Sequence, residues 1–212
     1  MLSRRLLLPA LAGSLLAAAP ASAATLTTDK PCYVERTPVT YTGAGFTPGA
    51  NWFIEAQAVY ANGMVAPDGS FSIAQAAPLN ANENTRAKSF SVDGYEETSD
   101  GNVVRATATY KIVSLLVQLA RGAGNPTGTT KWGFSGFRPG KAIFVHVKRG
   151  SHVWTQRAGR GNQPCGILHK RLRRLPAVPS GSIRSGKYKV QIDNHRRLRK
   201  QGLRYTFTYR IY

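Results

Sequence analysis

Gly43-Ala44-Gly45-Phe46-Thr47-Pro48-Gly49 and, from position 134, Phe134-Ser135-Gly136-Phe137-Arg138-Pro139-Gly140 carry the same Gly-Phe-x-Pro-Gly unit at an offset of 91 residues. Pro presets φ for the first turn position and the following Gly tolerates φ > 0, so each unit turns the chain sharply between two strands. Apolar runs follow both, at 50–60 and 141–147. A strand, turn, strand pattern that occurs twice in 212 residues predicts two copies of one β domain, each of about 90 residues.

The flanking sequence has period two. Val39 and Tyr41 alternate with Thr40 and Thr42, and Trp52, Ile54 and Ala56 alternate with Phe53, Glu55 and Gln57. In the second copy Ile143, Val145 and Val147 share a face, as do Tyr188, Val190 and Ile192, and then Leu203, Tyr205, Phe207, Tyr209 and Ile211. Such alternation predicts strands with one buried side. Asn62-Gly63 reads as a two-residue hairpin turn after the run 50–60, and Pro67-Asp68-Gly69 as the turn into Phe71-Ser72-Ile73. The stretch 167–175 fits two helical turns or a short strand equally well; no long amphipathic helix is present. With 42% hydrophobic residues the chain can bury a core. The expected fold is all-β, two tandem sandwiches, with domains at 24–112 and 113–212 joined near 112–116.

The paired motifs resemble those of secreted bacterial immunoglobulin-like repeats, similar to TIG-like domains. Residues 25–112 carry the resemblance best, including Asp68-Gly69-Ser70-Phe71, whose counterpart in the second copy is read as Ser185-Gly186-Lys187-Tyr188. The resemblance implies immunoglobulin-like sandwiches serving as stalks, spacers, adhesion modules or accessory modules of surface enzymes. It supplies no catalytic residue.

Residues 1–23 hold Arg4-Arg5, an apolar run from Leu6 to Ala19 and Ala21-Ser22-Ala23. A basic start, about 14 apolar residues where about 20 are needed to span a bilayer, and small residues at the end read as a cleaved export signal. Ser3-Arg4-Arg5-Leu6-Leu7-Leu8 also fits a twin-arginine signal. The expected address is secreted or cell-surface, with no membrane span in the mature chain.

Charge divides with the domains. Between 24 and 111, six Lys/Arg face nine Asp/Glu, a net of −3; between 112 and 212, twenty-one face only Asp193, a net of +20. That excess suits an anionic cell-wall or extracellular polymer. The candidate contacts are Lys170, Arg171, Arg173 and Arg174, the loop residues Arg196, Arg197, Arg199 and Lys200, and the outward side chains Lys187, Lys189, Arg204 and Arg210 of a hairpin. Tyr188, Tyr205, Phe207 and Tyr209 point to the opposite side of that hairpin, so the aromatic platform of a single-strand nucleic-acid binder is missing and no specific nucleic acid is expected.

Cys32 and Cys165 would oxidise outside the cytoplasm, as a bridge between the domains or otherwise as an intermolecular bond; two separate buried thiols are the alternative. Cys165 with His169 as a nucleophile pair lacks an orienting group. His146 and His152, around Arg149-Gly150, read as ordinary exposed histidines, and Asp93-Gly94-Tyr95-Glu96-Glu97 with Asp100 lacks the spacing of a calcium loop. No metal site, cofactor or catalytic set is expected. The function read from sequence is a non-catalytic secreted or surface module. A structural spacer or adhesion stalk is the first alternative, and a hydrolase with an inter-domain site the second.

Overall fold

The computed structural model describes residues 23–56, 59–80, 84–120 and 125–212; of the segment read as an export signal, 1–23, all but the last residue lies outside them. Among the described residues fifteen strands account for nearly all regular structure, with one 3-10 turn at Ser180–Ser182. Among the described residues no helix is long and apolar enough to cross a membrane.

The first half contains β1 (Thr25–Thr28), β2 (Cys32–Val34), β3 (Pro38–Ala44), β4 (Asn51–Ala56), β5 (Val59–Met64), β6 (Phe71–Ala76), β7 (Lys88–Thr98) and β8 (Gly101–Val113). They form a three-stranded sheet β1-β3-β6 and a five-stranded sheet β2-β8-β7-β4-β5. The second half contains β9 (Leu116–Leu119), β10 (Thr129–Ser135), β11 (Ala142–Arg149), β12 (His152–Arg160), β13 (Leu168–Arg173), β14 (Gly186–Asp193) and β15 (Arg204–Ile211). Its sheets run β13-β10-β9 and β12-β11-β14-β15.

Without β2 the two halves have one topology. β1, β3 and β6 correspond to β9, β10 and β13, and β8-β7-β4-β5 to β15-β14-β11-β12, in the same chain order. Each half is an immunoglobulin-like sandwich around its own core. Val39, Tyr41, Ile54, Val92 and Tyr110 fill the first, and Trp132, Phe134, Val145, Tyr188, Val190 and Ile192 the second. The period-two strands thus turn their apolar sides toward the facing sheet.

The repeated motif does the same job in both. Gly45 and Gly136 have φ of 76° and 74°, and Gly49 and Gly140 of 77° and 69°. Ala50 N–H bonds Thr47 O at 3.1 Å and Lys141 N–H bonds Arg138 O at 3.2 Å, closing a Pro-Gly turn of type II pattern each time. Phe46 and Phe137, both 2% exposed, plug the sandwich end. The motif does not link paired strands: β3 and β4 lie in different sheets, as do β10 and β11, so each turn carries the chain across the sandwich.

Two expectations need correction. Asn62-Gly63 lies inside β5, where Phe53 pairs Asn62 and Trp52 pairs Gly63; β4 and β5 are already paired at Ala56 and Val59. Trp52 covers Gly63 at 3.0 Å from where a Cβ would stand, so this glycine serves close packing and not a turn. Of the two readings left open for 167–175, the structure takes the strand, β13 at Leu168–Arg173. Ser185-Gly186-Lys187-Tyr188 is not the counterpart of Asp68–Phe71. β6 pairs with β3, as β13 does with β10, whereas β14 joins β11 and β15.

Candidate functional site

β14 and β15 pair as a hairpin with Lys187 opposite Arg210 and Asp193 opposite Arg204. β11 pairs on the other side, placing Lys148 opposite Lys189. Parity puts Lys148, Lys187, Lys189, Arg204 and Arg210 on the outer face of the four-stranded sheet, and all are exposed. The aromatic side chains face in: Tyr188 is fully buried, and Tyr205, Phe207 and Tyr209 pack on the core. Like charges directly opposite across a strand pair repel, and here two such pairs, Lys187 with Arg210 and Lys148 with Lys189, stand in adjacent rows.

The loop after β14 folds back over this face. Asp193, 2% exposed, holds its base: Oδ1 accepts from His195 N–H at 2.7 Å and Oδ2 from Gln191 Nε2 at 2.8 Å. Gln191 Nε2 also donates to Arg199 O at 2.7 Å. His146, 1% exposed, lies beneath, its Nε2 at 3.3 Å from Asp193 Oδ1 and 3.1 Å from His195 O. Both partners of Nε2 are acceptors, so Nε2 carries the proton and Nδ1 faces Thr155 Oγ1 at 2.8 Å. His146 is therefore no exposed histidine, which corrects the sequence reading; alternation placed it on the outer face but could not show the loop covering it. The turn after β11 pairs Arg149 with His152, which puts His146 and His152 on opposite faces. Loop side chains Arg196, Arg197, Arg199 and Lys200 remain exposed. The only carboxylate of the basic half is thus spent on holding a cationic loop in place.

Lys170, Arg171, Arg173 and Arg174 lie elsewhere. β13 belongs to the other sheet of the second sandwich, whose outer face looks away from the hairpin face. The run is also split by the strand: Arg171 and Arg173 share the outer side with His169, while Leu172 is buried in the core. Arg173 donates to Ser180 Oγ at 3.4 Å, and Arg174 is half-buried, its N–H bonding Gly128 O. The twelve basic candidates therefore form two groups on opposite sides and not one strip.

The β13 group borders a cleft of about 890 Å³ between the halves. Its floor is the outer face of β9, β10 and β13, with Lys131 opposite Arg171 and Gly133 opposite both His169 and Gln118. Asn84, Thr85 and Arg86 of the first half form the other wall. Thr85 Oγ1 meets His169 Nε2 at 2.9 Å. That approach needs Gly133, because a Cβ there would stand 2.8 Å from Thr85 Oγ1. Sequence reading missed this site, since its halves are far apart in the chain.

Cys32, on β2, and Cys165, in the turn before β13, form a disulfide with Cα atoms 5.4 Å apart. A bonded Cys165 has no thiol, which overturns its pairing with His169 as a nucleophile. Of the acidic stretch, Glu96 is buried, bonded to Arg105 Nε at 2.7 Å and to Thr47 N–H, and Asp93 accepts from Thr107 Oγ1 at 2.7 Å. Among the described residues no three His, Cys, Asp or Glu side chains converge as metal ligands would.

The fold thus defines a class: a disulfide-linked pair of immunoglobulin-like sandwiches. No protein-family model and no curated protein matches the sequence. Solved structures similar to the chain include a tetra-tandem repeat in the extending region of a large adhesion protein, at 15% identity over 88% of this chain and 47% of that one, TM-score 0.31. Another is a Ca2+-stabilized adhesin of an ice-binding Antarctic bacterium, at 13% identity over 89% of this chain and 48% of that one, TM-score 0.36. The human OSCAR ligand-binding domain matches at 8% identity over 89% of this chain and 97% of that one, TM-score 0.34. The chain spans about half the length of the first two.

Proposed function

We propose that this chain is a non-catalytic, exported module of the cell surface or exterior that binds anionic polymers through the hairpin face of its second sandwich. The observation that supports this reading is the pair of like-charged rows, Lys187 with Arg210 and Lys148 with Lys189, beside a cationic loop whose backbone is pinned by Asp193. An unrelieved repulsion of this kind costs stability, and a polymer of phosphates or carboxylates offsets it by replacing the ions condensed around it. Export is proposed from residues 1–23.

The test is retention on an anionic polymer across a salt series. Replacing Arg196, Arg197, Arg199 and Lys200 together by Ser should weaken retention and flatten its salt dependence, each exposed contact being worth on the order of 1 kcal/mol or less. The fold should survive, because the loop is held through Asp193, Gln191 and backbone atoms and not through those four side chains. Retention equal to wild type would make the structural spacer the better reading.

A further inference from the structure

The cleft between the sandwiches has its own chemistry, separate from the hairpin face. Lys131 and Arg171 are directly opposed across β10 and β13, both exposed, with His169 on the neighbouring row. Lys170 borders the same space from the edge strand, and Arg86 enters from the acidic first half. Among the described residues none of Arg86, Lys131, Lys170 and Arg171 has an ion-pair partner, and no carboxylate lines the cleft. Asn84 and Gln118 add amides.

We propose that this cleft binds a single phosphate ester, of the class of a phosphorylated sugar or polyol, held by both sandwiches at once. Its volume, about 890 Å³, is that of a small-molecule site. A carboxylate uses one forked partner, whereas a phosphate monoester brings close to two charges and three acceptor oxygens, enough for several cations together. Arg171 and Arg86 supply planar forks that match phosphate geometry, and Lys131 a point charge. The organic part meets Asn84 and Gln118. The Lys131–Arg171 repulsion is lifted when the anion sits between them, and Arg86 brings the first sandwich to the same ligand. The Thr85–His169 bond at 2.9 Å and the Cys32–Cys165 disulfide hold the two walls together before the ligand arrives. This site does not depend on the hairpin reading.

Isothermal titration of the whole chain at moderate salt, with glycerol phosphate, inorganic phosphate and a short poly(glycerol phosphate), tests it. Lys131→Gln and Arg86→Gln should each weaken glycerol phosphate binding about tenfold or more, the range for losing a charged hydrogen bond. The variant with Ser at positions 196, 197, 199 and 200 should bind it as wild type does. Without ligand, Lys131→Gln should melt higher than wild type, because the like-charge pair is relieved, and phosphate should no longer raise its melting temperature. Measured in the loop variant, which lacks the polymer contacts of the hairpin face, tighter binding of the polymer per chain end assigns a terminal unit as the natural ligand, and equal binding a free phosphorylated compound; both support the site when adding Lys131→Gln weakens them about tenfold or more. No heat with glycerol phosphate or inorganic phosphate, an unchanged Arg86→Gln, or an equal loss in the loop variant overturns it. A loop variant that loses only polymer retention bears on the hairpin face alone.

Discussion

Tyr41 and Tyr110 meet hydroxyl to hydroxyl at 2.6 Å in the first core, at 0% and 2% exposure. Tyr33 stacks edge-on against Tyr110, with ring centroids 5.4 Å apart, and its hydroxyl donates to Asp29 at 2.7 Å. Each buried phenol has one obvious partner, so Tyr41→Phe strands the Tyr110 hydroxyl. We expect a loss of about 1–3 kcal/mol in denaturant unfolding, while the Tyr41→Phe/Tyr110→Phe double variant should recover much of it, because replacing both partners leaves no unmet polar group. A double variant that costs the sum of the singles would contradict the pairing. Burial raises Tyr41 and Tyr110, and burial followed by the Asp29 bond raises Tyr33 to about 12. A raised folded-state pKa means stability that is full below the unfolded value, about 10 for tyrosine, and lost as pH climbs through the folded one. The first sandwich should therefore unfold cooperatively between about pH 10 and 12, with the phenolate absorbance of Tyr33, Tyr41 and Tyr110, taken as the difference from their Phe variants, rising in step with loss of β circular dichroism. A difference signal that precedes unfolding would place these hydroxyls in water.

At the scale of elements, the loop 194–203 is the part whose order rests on few bonds. Asp193→Ala leaves His195 N–H without its acceptor and removes one acceptor each from Gln191 Nε2 and His146 Nε2. Buried donors left unpaired cost about 1–3 kcal/mol each. Hydrogen exchange at 194–203 should rise sharply in this variant, while β11 keeps its protection through Val145–Ile192 and Val147–Val190 pairing. Unchanged exchange in the loop would mean that Asp193 does not anchor it. A second element is the turn before β13. Gly166 has φ 64°, and a Cβ there would stand 1.7 Å from Phe137 O, so Gly166→Ala should destabilise the second sandwich severely, read as a lower melting temperature. These elements also show what was legible beforehand. The strands could be read because alternation is local, and the crossing turns because Pro48-Gly49 and Pro139-Gly140 dictate their own backbone. Asn62-Gly63 misled because a strand glycine under Trp52 looks the same in sequence as a turn glycine. His146 misled because a loop that returns over a polar face leaves no period in the sequence. The cleft was invisible for a related reason: Thr85 and His169 meet only once both sandwiches exist.

For the whole molecule the question is what makes two separate cores one object. The halves repeat the same seven-strand topology, yet one is acidic and the other strongly basic, so the contact between them combines a general attraction with particular bonds. Of those bonds, the Cys32–Cys165 disulfide spans the most chain, 133 residues. It joins β2, the strand the second half lacks, to the turn before β13, which ties the feature that breaks the repeat to the second sandwich. In the chain-entropy account, closing a loop of that length removes about 5 kcal/mol of freedom from the unfolded state. Each sandwich keeps its own core when the bond is gone, so Cys32→Ser/Cys165→Ser should retain full β circular dichroism at room temperature. Its melting should start well below that of the wild type and split into two transitions, because the cross-link no longer limits the unfolded chain or couples the halves. The anion cleft supplies the companion measurement: glycerol phosphate touches both walls, and in the reduced variant it should bring the two transitions back toward each other. Melting of the double-serine variant as a single transition at the wild-type temperature would show that the contact at Thr85 and His169, and not the disulfide, unites the halves.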